Sequence, residues 1–221
     1  MASIFASSIG KKLIMSLSGL FLMLFLVMHA GINLLLLAGR DVYNAACRFM
    51  DTNPLIQVMV PVLAFGFFIH IVYAVYLTWN NWKARGTQAY RVANKGAVSS
   101  WAARNMFVLG LIIVGFLVLH LTHFWAKMQL AHYLNGEGAA DPYGLVAERF
   151  SQPLYSIIYI AWFCALWLHL THGLWSAFQT IGLNNSKWLC RWKIIAYIYA
   201  TLITSAFLTV PVYFLVIGQN V

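Results

Sequence analysis

The chain has 221 residues, of which 62% are hydrophobic and 9% charged, whereas an ordinary soluble domain is about a quarter charged. That composition excludes a soluble enzyme, a disordered tail and a nucleic-acid binder. The net charge of +9 has too little polar surface around it to form a basic nucleic-acid-facing patch. Cys47, Cys164 and Cys190 show no C-x-x-C spacing, so neither a disulfide framework nor a zinc site is indicated.

The charged residues fall into five clusters, leaving uncharged stretches at 13–39, 52–82, 105–126, 150–186 and 194–221. A helix rises 1.5 Å per residue, so a hydrocarbon core about 30 Å thick needs about 20 apolar residues. Each stretch is long enough. The sequence therefore predicts an all-α polytopic protein, a single membrane domain over 1–221 with five spans.

The first span, near 13–38, follows Lys11 and Lys12 and carries His29 and Asn33. Its apolar run is too long for a signal-peptide core, so an uncleaved span is expected. Arg40, Asp41, Arg48 and Asp51 mark a polar connection to the second span, near 55–80, which holds His70. Lys83, Arg85, Arg91, Lys95 and Arg104 follow, and then the third span, near 105–126, with His120 and His123. A segment with Lys127, His132, Glu137, Asp141, Glu148 and Arg149 leads to the fourth span, near 153–180, with His169 and His172. Lys187, Arg191 and Lys193 precede the fifth, near 194–217. Basic connections stay on the cytoplasmic side, which predicts a cytoplasmic N-terminus and an outside C-terminus.

Six of the seven histidines lie inside spans, where ionisable groups are costly and usually functional. Their depths are sorted. His29 lies 17 residues after Lys12, and His120 lies 16 after Arg104, in spans running outward. His70 lies 16 residues after Pro54, and His169 lies 16 after Pro153, in spans running inward. Each count is about 24 Å of travel. Four spans thus supply two histidine pairs, at levels about 15–20 Å apart across a core about 30 Å thick. Interhelical hydrogen bonding gives no reason for that sorting.

Zinc would take three or four ligands, and a di-iron site would need core glutamates that the spans lack. Haem needs two axial ligands from opposite sides. Filling both leaves no position for oxygen, so such a haem only passes electrons, and two stacked haems make a path across the membrane. His123 and His172 each follow a candidate ligand by three residues, nearly on the same helix face. Either could replace its neighbour, though depth favours His120 and His169. His132 is expected to be a solvated loop residue.

Several local patterns add to this: His29 with Asn33, Tyr43-Asn44, Phe49-Met50-Asp51 ahead of Pro54, His70 followed by Tyr73, Val75 and Tyr76, and His169 with Gly173-Leu174-Trp175-Ser176. In order and spacing, over nearly the whole chain, they resemble the single-polypeptide, five-helix dihaem cytochrome b subunit of succinate:quinone oxidoreductase (succinate dehydrogenase or fumarate reductase). The resemblance implies a multi-pass subunit of the bacterial inner membrane with two haem b. It implies axial ligands His29 and His120 for the distal haem, and His70 and His169 for the proximal one. It also implies a flavoprotein (FAD) subunit and an iron–sulfur subunit on the cytoplasmic face, surrounding lipid, and a quinone, commonly menaquinone. The dicarboxylate chemistry would lie in the partners, since no nucleotide-binding glycine fingerprint is present. A stand-alone dihaem cytochrome, or a haem-free transporter or scaffold, are the alternatives.

Some family members carry a glutamate for transmembrane proton transfer two residues before the fourth ligand. Here that position is Trp167. Asp51, near the distal level, is a candidate proton donor to quinone, or an acid paired with a helix dipole. Asn33, His123 and His172 are candidates for the haem environment or the quinone. Lys83, Arg85, Arg91 and Lys193 are candidates for haem propionates or partner subunits, beside their topological role.

Overall fold

The computed structural model describes residues 7–85 and 101–217, and among them all regular structure is helical. Helix α1 (Ser8–Leu34) tightens into a 3-10 turn over Leu35–Ala38. Next come α2 (Arg40–Thr52) and α3 (Pro54–Arg85), and then α4 (Trp101–Arg104) and α5 (Met106–His120). The chain continues from α5 through a π-helical segment, Leu121–Leu130, into α6 (Ala131–Asn135). The rest is α7 (Pro142–Phe150), α8 (Pro153–Thr180) and α9 (Ser186–Ile217). Five stretches are long and apolar enough to cross a bilayer: Ser8–Ala38, Pro54–Ala84, Met106–Leu134, Pro153–Thr180 and Ser186–Val216.

The predicted connections are more ordered than their charge suggests. The cluster at 40–52 is a helix whose buried residues, Tyr43, Asn44 and Cys47, share one face. The third span runs past 126 because the π segment and α6 continue it. His132 therefore lies on a helix, not in a loop, and it is half-buried. Arg91 and Lys95 lie outside the described residues, as does the Arg85 side chain.

The bundle is organised on α8 and α9. Ala196, Ala200, Ile203, Phe207, Val210 and Phe214 form the buried stripe of α9, and Ser156, Tyr159, Phe163, Leu166, Leu170, Leu174 and Ala177 that of α8. Both stripes repeat at three- and four-residue steps. The two alanines are wholly buried, and small side chains let membrane helices approach closely. Helix α1 packs on α3, α8 and α9, and α5 packs on α8. A hydrogen bond from Tyr199 Oη to the Met23 carbonyl (2.5 Å) ties α9 to α1. Helices α2 and α7 cap one end, where Asp141 accepts from Asn44 Nδ2 (2.8 Å) and pairs with Arg40, while the Tyr143 amide donates to Asn44 Oδ1 (2.9 Å).

Candidate functional site

The bundle holds two histidine pairs, at different heights. Toward the end capped by α2 and α7, His29 of α1 meets His120 of α5 with ring centroids 5.7 Å apart. Toward the other end, His70 of α3 meets His169 of α8 at 6.4 Å. The heights can be read along α1 itself. Its Ser18 reaches His70, and His29 lies eleven residues later, about 16 Å at the rise of an α-helix. All four rings are half-buried.

The spacing suits a shared metal ion. Two imidazoles each about 2 Å from one ion through a ring nitrogen place their centroids about 6 Å apart. Among the described residues, no group of three or more histidine, cysteine or acidic side chains could hold a metal. Each level therefore offers two donors, and the remaining positions on an ion would be filled by a prosthetic group or by water. Buried Nδ1 of His169 has no hydrogen-bond partner. The residues present fit a bis-histidine macrocycle and do not fit zinc.

The surroundings of the His29 level are aromatic. Phe25 stacks on His29 (5.2 Å) and Phe116 on His120 (5.7 Å), with Phe124 and Phe207 also against the pair. The Tyr159 hydroxyl lies 3.2 Å from His123 Nδ1. Arg149 holds its guanidinium 4.6 Å from the Tyr155 ring centre, and its Nε is buried without a partner.

The π register begins at Leu121, and beyond it His123 packs on Tyr155 and Tyr159 of α8, the second of which His120 also meets. His172 stays in regular helix, packed edge-on against Trp175 (4.9 Å), and its Nδ1 is buried without a partner. Lys193 lies over the same Trp175 ring.

Asn33 donates its amide to the His29 carbonyl of its own helix (2.7 Å). Asp51 lies in the last turn of α2, three residues ahead of the first residue of α3. Burial raises its pKa, and the charge of His132 opposes that shift. Nearby, Gln129 donates to Gln57 Oε1 (2.8 Å), and Gln57 donates to the Met50 carbonyl (2.9 Å). Trp167 donates to Thr201 Oγ1 on α9 (3.0 Å), and α8 carries no carboxylate.

Neither Arg149, as a site residue, nor Ser18 stands out in the sequence. One signal for the spare histidines was present: His-Leu-Thr-His occurs at 120–123 and again at 169–172.

The chain is 24% identical over 162 residues to the succinate dehydrogenase cytochrome b558 subunit of Bacillus subtilis (strain 168), covering 73% of each chain. No protein-family profile and no solved structure matches.

Proposed function

We propose that this chain is the dihaem membrane subunit of a succinate:quinone oxidoreductase, holding one haem b between His29 and His120 and another between His70 and His169. The observation that carries this reading is the pairing of four histidines from four spans at two heights. The likeness to the Bacillus subtilis subunit supports it independently.

Held by His29 with His120 and by His70 with His169, haem would supply one-electron transfer across the membrane. The protein's part is to place, surround and neutralise. Phe25, Phe116, Phe124 and Phe207 exclude water from the His29 level. Arg149, with His123 and Tyr155, supplies cationic and polar groups for the carboxylates of the prosthetic group there, and Lys193 and His172 do so at the other level. Asp51 serves as proton donor to a quinone bound beside the α2 cap, near Gln57 and Gln129. Menaquinone is the proposed quinone.

The flavoprotein and iron–sulfur partners would dock on the end where α1 begins and α3 ends, which lies in the cytoplasm of a bacterial cell. Cations there rest on aromatic faces: Lys11 on Tyr76, Lys83 on Trp79 and Arg191 on Trp188. Such an amphipathic rim suits the membrane interface.

The test is a haem count and reduced-minus-oxidised spectra of the protein purified from its native membrane. Two low-spin b-type haems per chain are expected, with flavin and non-haem iron co-purifying. His29→Ala and His120→Ala should each remove the same haem, and His70→Ala and His169→Ala the other. A colourless wild-type protein would overturn the assignment. Two haems without flavin or non-haem iron would favour a stand-alone cytochrome.

A further inference from the structure

We propose that Ser18 and Gly19 of α1 form the seat that orients His70, with Ser18 as its positioning residue. The inference rests on His70 being an axial ligand. Helix α1 supplies His29 to one level and meets His70 of the other level at Ser18, eleven residues before His29. Ser18 Oγ lies 3.2 Å from His70 Nδ1 and 3.0 Å from the Met15 carbonyl oxygen.

A hydroxyl carries one proton and two lone pairs. The Met15 carbonyl can only accept, so the Ser18 proton goes to it and a Ser18 lone pair is left for the ring. The Met15 backbone also meets the ring, so His70 carries its proton on Nδ1, facing both Ser18 and the Met15 carbonyl, which leaves Nε2 bare. A histidine bound to metal through one nitrogen characteristically donates from the other in this way. Gly19 makes the approach possible. A Cβ there would lie 3.2 Å from His70 Cε1 and 3.6 Å from Nδ1, so even alanine requires the ring or the helix to give by a few tenths of an ångström.

The opposite imidazole is not held like this, because Nδ1 of His169 is buried without a partner. Among the described residues, no hydrogen bond reaches a ring nitrogen of His29 or His120 either. Donation from Nδ1 makes an imidazole a stronger electron donor, which favours ferric over ferrous iron. Ser18 thus lowers the reduction potential of the haem held by His70 and leaves the other untouched.

The test is a potentiometric titration, read optically and by low-spin ferric electron paramagnetic resonance, on the intact membrane complex. It compares wild type, Ser18→Ala, Ser18→Thr and Gly19→Ala, with His70→Ala identifying the haem concerned. Ser18→Ala should raise the potential of that haem by a roughly tenfold change in its reduction equilibrium, about 59 mV for one electron. Ser18→Thr should restore it. Gly19→Ala should change the resonance of the same haem, and selective loss of that haem in either variant supports the seat equally. Unchanged potentials and spectra in both Ser18→Ala and Gly19→Ala, or equal shifts of both haems, would overturn the inference while leaving the dihaem assignment standing. A wild type without haem is the separate failure of that assignment.

Discussion

Asp51 lies beside Gly138, where a Cβ would come within 3.7 Å of its Oδ2. Burial holds its carboxyl above the usual aspartate range. The folded protein therefore binds this proton more tightly than the unfolded chain. Its contribution to stability is full below the ordinary aspartate pKa of about 3.9 and is lost as pH rises through the folded value. Asp51→Asn should match wild type in acid and become the more stable of the two as pH rises, in melts followed at a series of pH values. A difference that narrows with rising pH would contradict the assignment of the shift to burial. In its proposed role as proton donor, Asp51 should also matter kinetically: Asp51→Asn should slow quinone turnover by roughly 10²-fold with haem content unchanged, and Asp51→Glu should recover part of it. At this scale the histidine pairing was legible because depth follows from a constant rise per residue. The π register of Leu121–Leu130 was not, because nothing in those residues announces it. The Ser18–His70 contact was not either, since it depends on how α1 and α3 face each other.

Among the elements, α2 shows what charge conceals. Arg40, Asp41, Arg48 and Asp51 suggested a connection, yet Tyr43, Asn44 and Cys47 lie at the spacing of one helical face and are buried. The spans themselves were legible from the absence of charge, because a bilayer leaves few alternatives to an apolar helix. The cap formed by α2 and α7 turns on one amide. Asn44 is buried and serves both helices, donating to Asp141 and accepting from the Tyr143 amide. Its bond to Asp141 is the leading reason that this carboxyl lies below the usual range. That contribution is present above the ordinary aspartate pKa and is lost as pH falls through the lowered one. Asn44→Ala should destabilise the protein by about 1–3 kcal/mol, because it leaves buried partners unpaired. Arg40→Ala, acting on the same carboxylate from an exposed position, should cost less than about 1 kcal/mol. Thermal unfolding of the two variants against wild type measures both. Equal losses would mean that the ion pair, not the amide, closes the cap.

For the molecule as a whole, function depends on which end faces the cytoplasm. Ten of the fourteen basic residues lie before the first span, in 83–104 or in 187–193, and all five acids lie in the two segments at the opposite end. Short connections rich in lysine and arginine are retained on the cytoplasmic side. By that rule the His70 level would lie nearest the proposed electron source, and the His29 level, with Asp51 and the α2 cap, at the far face. Under the proposed assignment, an electron entering at His70 and leaving at His29 would cross most of the membrane, and a quinone at the α2 cap would take its protons from the outside. Reporters fused to the two termini should settle on opposite sides, the N-terminal one cytoplasmic and the C-terminal one outside. A quinone-site inhibitor should perturb the spectrum of the haem lost in His29→Ala more than that lost in His70→Ala. If both termini report from one side, the five-span topology fails. If the inhibitor acts instead on the His70 haem, the quinone lies at the cytoplasmic end and Asp51 is not its proton donor.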